Sequence, residues 1–291
     1  MPDLKPEACP LCANRQFERV FVYHEPPQGE VRFRFSAGVY QREVYRCTVC
    51  GHFLSVHTMQ APEFYEDEYV DSTYGSDDGI RSAFERIIAL DPSNSDNRGR
   101  VQRILEFTAM HLKAPAAGKR LPAVLDVGSG LCVFLYEMKA AGWDCTALDP
   151  DLRAVQHARQ VVGVHAIDAD FMLAEDIGRF DLVAFNKVLE HVQDPVAMLA
   201  KSQENLQDGG MVYVEVPDGE CAAVDGPARE EFFIEHNHVF SMASLALLAQ
   251  RTGFLPLLIE RLREPSTKYT LRAFLAPVEK DRDSADRTLS R

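Results

Sequence analysis

Four cysteines stand in two pairs, Cys9-Pro-Leu-Cys12 and Cys47-Thr-Val-Cys50. A two-residue gap lets a tight turn aim both sulfurs at one point, and two such knuckles supply the four thiolates of a tetrahedral zinc site. Zinc held by four thiolates keeps no open position for substrate, so the expectation is one structural zinc on Cys9, Cys12, Cys47 and Cys50. Redox chemistry is the rival for a Cys-x-x-Cys pair; two matching pairs flanking one β segment favour the metal. His52 and His57 are spare nitrogen donors nearby. The other three of the seven cysteines, Cys132, Cys145 and Cys221, lie in apolar segments and read as core residues.

A second constellation is Phe232-Phe-Ile-Glu-His-Asn-His-Val-Phe-Ser241, a Glu and two His among aromatics. At a cleft mouth His236, oriented or electrostatically supported by Glu235, would suit proton removal, since a histidine titrates near neutral pH. His238, flanked by Val239 and Phe240, reads equally well as a buried, hydrogen-bonded residue. In Val124-Leu-Asp-Val-Gly-Ser-Gly130, Gly128 and Gly130 fall in a strand-to-helix turn, where missing side chains let a ligand approach the backbone. Asp149 closes the following strand, where α/β nucleotide folds place a carboxylate to accept ribose hydroxyls. Asn186 and Lys187 end a later strand at the same crevice; Glu190 and His191 just beyond are assigned to support of their loop.

Asp126, two residues before Gly128, and Val133, where a dinucleotide fingerprint needs a small residue, make this turn resemble motif I of the class I S-adenosylmethionine-dependent methyltransferases. Val133 also counts against an NAD-dependent oxidoreductase. The run Phe180-Asp-Leu-Val-Ala-Phe-Asn-Lys-Val-Leu-Glu-His191, followed by Asp194-Pro195, resembles the fourth-strand motif of the same superfamily. The resemblance implies S-adenosylmethionine as cofactor, with Asp126, Gly128 and Gly130 beside its methionine part and Asp170 and Phe171 at its adenine. Asp168 is the rival for Asp170. Zinc knuckles, an aromatic connector and a Glu-His pair together resemble the nucleotide-sugar (keto-deoxysugar) methyltransferases. Their Tyr-x-Glu-His segment falls here on Phe233, Glu235 and His236, with the tyrosine absent. This implies a sugar-like small-molecule acceptor methylated on carbon or oxygen. The competing reading is a binding module, a zinc ribbon recruiting a protein or nucleic acid to a methyltransferase-like scaffold.

Residues 1–57 hold both cysteine pairs and alternating stretches, Val31-Arg-Phe-Arg-Phe35 and Val44-Tyr-Arg46, with the period of half-buried strands. Residues 58–120 form a helical connector and lid: the aromatics Phe64, Tyr65, Tyr69 and Tyr74, a helix from Ile80 to Leu90, and a second capped by Asp96 or Asn97. Tyr65, Tyr69 and Tyr74 are expected to help close the site. Ala114 to Pro122 reads as a linker. From 121 to 277 short β runs alternate with helices, predicting a Rossmann-like α/β fold with a parallel sheet covered on both faces and a crevice where strand order reverses. Among these helices one is expected from Val196 to Leu206, with Gly209-Gly210 turning into the next strand. Asp151 and Ser241 read as helix caps, and 278–291 as a polar, disordered tail.

At 291 residues the chain accommodates one α/β domain and a smaller module. A formal charge of −13 without any basic run argues against nucleic-acid phosphates as partners. No stretch reaches the roughly 20 apolar residues of a membrane helix, and the start lacks a signal-peptide pattern, so a cytoplasmic location is expected. Oligomeric state is not legible.

Overall fold

The computed structural model describes residues 5–30, 40–57, 59, 77–112 and 120–278. The stretch 31–35, the connector aromatics Phe64, Tyr65, Tyr69 and Tyr74, and 279–291 lie outside the described residues, as does most of the expected linker. Three strands come first, β1 (Phe17–Tyr23), β2 (Arg42–Cys47) and β3 (Phe53–His57), then the connector helices α1 (Asp77–Ile88) and α2 (Asp96–His111). The cap of α2 is Ser95, whose side chain accepts the Arg98 N–H, rather than Asp96 or Asn97. A hydroxyl one residue ahead of Asp96 is the better placed acceptor, which leaves Asp96 to favour the positive end of the helix dipole.

Strands and helices then alternate: β4 (Ala123–Val127), α3 (Val133–Ala140), β5 (Asp144–Asp149), α4 (Leu152–His157), β6 (His165–Asp168), β7 (Phe180–Asn186), α5 (Pro195–Lys201), β8 (Leu206–Pro217), α6 (Gly219–Asp225), β9 (His238–Val239), α7 (Met242–Arg251), β10 (Phe254–Arg263) and β11 (Tyr269–Pro277). Seven strands form one sheet in the order β10-β11-β8-β7-β4-β5-β6. β4 to β8 pair in parallel, while β11 runs antiparallel to both β8 and β10. Strand order reverses between β4 and β7, so the turns leaving those two strands open one crevice. Side-chain alternation fills both faces. Val124, Leu182 and Tyr213 pack with Ile104, Phe107 and Leu135 of the helices on one side, and Leu125, Val183 and Val214 with Leu245 and Leu248 of α7 on the other.

Two expectations in the core are corrected. The helix after Asp194-Pro195 is α-helical only to Lys201, passes through a 3-10 turn over Ser202–Asn205, and Leu206 already belongs to β8. Gly209 and Gly210 therefore lie inside a strand rather than ahead of it. A Cβ on Gly210 would stand 3.0 Å from the carbonyl oxygens of Gln207 and Phe180, so the glycine answers close backbone approach within the sheet. Asp151 does cap α4 through Arg153 N–H, and Ser241 caps α7 through Ser244 N–H.

The N-terminal strands make an antiparallel sheet in the order β1-β2-β3-β9. Its fourth strand is borrowed: β9 follows the Glu235-His236 segment, and Phe53 pairs with Val239 and Leu54 with His238. The module and the segment expected to do chemistry thus share one hydrogen-bonded ladder. No helix among the described residues is long and apolar enough to cross a membrane.

Candidate active site and thiolate cluster

The two cysteine pairs are folded alike. Cys9 accepts the Ala13 N–H and Cys47 the Gly51 N–H on their carbonyls, and the residue after each second cysteine, Ala13 (φ 59°) or Gly51 (φ 71°), takes the left-handed conformation that closes the knuckle. The four sulfurs meet: Cys9 Sγ to Cys50 Sγ and Cys12 Sγ to Cys47 Sγ are each 3.5 Å, and all four thiols are unbridged. Zinc–sulfur bonds of about 2.3 Å in a tetrahedron place sulfurs about 3.8 Å apart, so the cluster fits such an ion. His52 is not part of it; its ring bonds His238 (3.0 Å) and Ser244 (3.4 Å). His238 in turn bonds the Gln193 carbonyl at 3.3 Å, matching the structural reading of that residue. Of the three remaining cysteines, Cys132 and Cys145 are buried and Cys221 half-buried.

The turn after β4 carries Gly128 (φ 69°) and Gly130 (φ 48°). A Cβ on Gly128 would meet Val188 Cγ2 at 2.9 Å, whereas one on Gly130 would enter open space. Gly128 is therefore glycine for packing, and Gly130 for its backbone conformation beside the crevice. The Gly130 N–H donates to Asp149 Oδ2 at 2.8 Å and the Asp151 N–H to Asp149 Oδ1 at 2.9 Å, which aims the Asp149 carboxylate at the crevice. Burial pushes the Asp149 carboxyl up to about 6. Asp126 is buried beneath the turn, pushed up to about 7 by burial, and accepts the Asn186 side-chain N–H at 2.7 Å. It is a floor residue that fixes Asn186. Asp170 and Phe171 line the same crevice; Asp170 holds the Met172 N–H at 2.7 Å, and the Phe171 ring is buried against Phe185.

Lys187 leaves β7 in the left-handed conformation, with Nζ 2.8 Å from Thr270 Oγ1 and 3.8 Å from Glu215 Oε1. Burial lowers its ammonium below the ordinary lysine value. Glu215 is buried outright, which alone would raise its carboxyl, yet Arg100, Lys187 and Tyr213 hold it well below the ordinary value. Arg100 reaches it from α2 with two bonds, Nε at 2.9 Å and Nη2 at 2.5 Å. The sequence reading missed Arg100. It sits in a stretch that looks like one helix face, and only its partner 115 residues away gives it meaning.

Gly128, Gly130, Asp149, Asp170, Phe171, Lys187 and Arg100 border one cleft of about 990 Å³, with Glu215 behind its lining. Its other wall carries Glu190, His191, Glu235 and His236. His236 Nδ1–H donates to the Glu231 carbonyl at 2.9 Å, and His191 Nδ1–H to the Glu235 carbonyl at 2.9 Å. The two rings lie 4.8 Å apart. Nitrogen and carboxylate atoms of Glu190, His191 and His236 fall within 4.8 Å of one another, the one further grouping besides the four cysteines that could hold a cation among the described residues. Burial lowers His236 well below the ordinary histidine value and lifts Glu190 to about 7. Two expectations shift. Glu190 and His191 do hold their loop, through His238 N–H to the Glu190 carbonyl and Asn237 to the His191 carbonyl, but both also face the cleft. The contact orienting His236 comes from Glu231; the Glu235 carboxylate acts on His191 instead.

The model of a methyltransferase domain matches residues 89–257. The ubiquinone biosynthesis O-methyltransferase of Aromatoleum aromaticum is 36% identical over 107 residues, 34% of this chain and 44% of that enzyme. That of Caulobacter vibrioides is 33% identical over 109 residues, 35% of this chain and 42% of that enzyme. The matched segment thus spans less than half the length of these curated relatives. In three dimensions the chain resembles the 1,6-didemethyltoxoflavin-N1-methyltransferase of Burkholderia thailandensis, solved with 1,6-didemethyltoxoflavin and S-adenosylhomocysteine bound. The TM-score is 0.51 at 19% identity, covering 84% of this chain and 99% of that one. The glycopeptide N-methyltransferase MtfA bound to S-adenosylhomocysteine gives 0.50 at 13% identity, covering 65% and 91%. At these identities the likeness is one of fold.

Proposed function

Because the chain belongs to the methyltransferase-domain family, we propose that it transfers the methyl group of S-adenosylmethionine to a small hydroxylated or keto acceptor, in particular a sugar or nucleotide-linked sugar. The observation that supports this reading is one shared cleft with the Gly128–Gly130 turn, Asp149 and Asp170 on one wall and two imidazoles on the other. When bound, the cofactor supplies an electrophilic methyl carbon on a sulfonium. Each Asp149 oxygen already takes one backbone N–H and keeps a lone pair for a ribose hydroxyl. Asp170 would take the adenine amine, with Phe171 beside the ring. Arg100, bonded to Glu215 through Nε and Nη2, and Lys187 are cations on the cleft lining that would face the amino-acid carboxylate. Gly130 leaves room where a side chain would stand.

His236 does the proton work in this reading. His236, with its Nδ1–H on the Glu231 carbonyl, would take the proton of the acceptor oxygen or enolising carbon on Nε2 and become an imidazolium, while the bound cofactor would supply the methyl group and leave as S-adenosylhomocysteine. Phe233, on the cleft wall where related sugar enzymes carry tyrosine, offers a flat apolar surface to the sugar ring. The reading divides the chain into a zinc-binding part to about residue 57, a connector to about 120 and a cofactor-binding core to about 277. Recruitment by the N-terminal part finds less support, since its sheet is completed by β9 and its His57 lines the cleft. The test is S-adenosylhomocysteine release from a panel of nucleotide-linked keto-deoxysugars, their hydroxylated counterparts, and catechols. Turnover on a sugar is expected; turnover confined to catechols would overturn the acceptor class.

Asp149 carries a separate prediction. Hydrogen bonds to a charged acceptor contribute roughly 1.5 to 3 kcal/mol, so Asp149→Ala should weaken S-adenosylhomocysteine binding at least about tenfold in titration calorimetry. Its raised carboxyl makes affinity pH-dependent: the charged acceptor is present above about 6 and is protonated below it, so affinity falls as pH drops through that value. Asp149→Asn should bind weakly with that pH dependence gone. Unchanged affinity in either variant would remove Asp149 from the cofactor site.

A further inference from the structure

The N-terminal module places a buried ion pair against the backbone that carries His236. Arg42 on β2 is fully buried, Glu30 ahead of it nearly so, and Arg42 Nη2 meets Glu30 Oε2 at 2.9 Å. Neither group ends there. Arg42 Nη1–H donates to the Phe232 carbonyl at 2.5 Å, and Glu30 Oε2 accepts the Ile234 N–H at 2.7 Å. Tyr40 ties the pair together, donating to Glu30 Oε1 at 2.6 Å and accepting from Arg42 Nε at 3.1 Å, while the guanidinium lies 4.1 Å over the Tyr23 ring. On the far side of His236, Ser55 of β3 donates its N–H to the Asn237 carbonyl at 3.1 Å. The segment is thus gripped at Phe232, Ile234 and Asn237 by side chains and backbone of another module.

A buried ion pair is a poor source of stability, because desolvation offsets its attraction and an apolar pair of like volume packs as well. What an apolar pair cannot do is address a carbonyl and an N–H two residues apart in one backbone. From this we infer that Glu30 and Arg42 are positioning residues: they hold the 232–237 segment so that His236 keeps its Nδ1–H on the Glu231 carbonyl and its Nε2 toward the cleft. The N-terminal module is then a fixed wall of the active site. This rests on the reading of His236 as the base.

Single removal of Arg42 strands a buried carboxylate and can unfold the module, so the test uses the apolar pair Glu30→Leu with Arg42→Met, and separately Arg42→Lys. Lysine keeps the charge but lacks the planar fork that reaches two acceptors. Zinc content and S-adenosylhomocysteine affinity report that module and core are folded. The ring-nitrogen spectrum of ¹⁵N-labelled histidine and the exchange rate of the Ile234 amide report the segment. Expected in both variants is exchange faster by about tenfold or more, with loss of the single Nδ1–H tautomer at His236, while zinc stays bound and affinity holds within about twofold. Should the double variant lose its zinc, the lysine variant decides on the same two readouts. An unchanged Ile234 rate and His236 tautomer with zinc retained would overturn the inference. Both readouts are independent of turnover, so a fully active His236→Ala would sink the base and leave the clamp to be judged by itself.

Discussion

His236→Ala is expected to lower turnover by about a hundredfold to ten-thousandfold, the range for a lost general base, while S-adenosylhomocysteine binds as before. The Glu231 carbonyl fixes the proton on Nδ1, which leaves the Nε2 lone pair for the acceptor. Burial keeps the ring neutral well below the ordinary histidine value, so the basic form prevails at neutral pH. The sign follows from that depression: activity is held above the shifted value and falls only as pH drops through it, below 6.5. Protonation of Asp149 near 6 weakens cofactor binding and raises KM for S-adenosylmethionine; loss of the base lowers kcat. The two limbs are therefore separable on one enzyme. His191 is the internal rival, 4.8 Å away ring to ring. Wild-type kcat in His236→Ala together with a collapse in His191→Ala would transfer the role. Wild-type kcat in both would leave methyl transfer to positioning alone.

The parts of this molecule that sequence reading captures are those with short-range causes. The strands β4, β5 and β7 each carry an apolar run, the knuckles depend on residues three apart, and Asp151 and Ser241 cap helices two or three residues on. Where the cause is remote the reading slips. One slip is local: Ser95 outcompetes Asp96 as the cap by a geometry that both residue types permit. Gly210 reads as a turn, yet it is glycine because the Phe180 carbonyl on a neighbouring strand stands 3.0 Å from its missing Cβ. Glu190 and His191 look like loop supports until β9 folds back and brings His236 beside them. Arg100, Arg42 and Glu30 are silent in sequence because each takes its role from a partner in another element. The paired cysteines announce themselves by spacing; an arginine or glutamate that holds another group in place looks like any surface charge.

On the proposal that the four thiolates hold zinc, stripping that metal or replacing Cys50 with serine is expected to unfold the N-terminal strands and to carry turnover down with them. A four-thiolate zinc contributes on the order of 10 kcal/mol of folding free energy to a small module. The apolar cluster proper to this sheet is small, Tyr23, Val44, Phe53, Ala222, Phe232 and Val239, half of it lent by the core domain, while the knuckle residues Cys9, Leu11, Cys47 and Cys50 pack into the main core instead. Damage should spread along definite bonds. Ser241, the cap of α7, donates to the Cys50 carbonyl at 2.6 Å, β3 pairs with β9, and Arg42 and Glu30 hold the His236 segment. The seven-stranded sheet depends on none of these for its own pairing, so S-adenosylhomocysteine should still bind while turnover on the acceptor is lost. The checks are metal analysis, expected at one zinc per chain, and amide exchange before and after chelation. Protection lost over β1 to β3 and β9 but kept over β4 to β8 is the expected pattern. A zinc-free protein with β1 to β3 still protected and turnover intact would show that the cysteines pack without the metal and that the module's hold on the site does not need it.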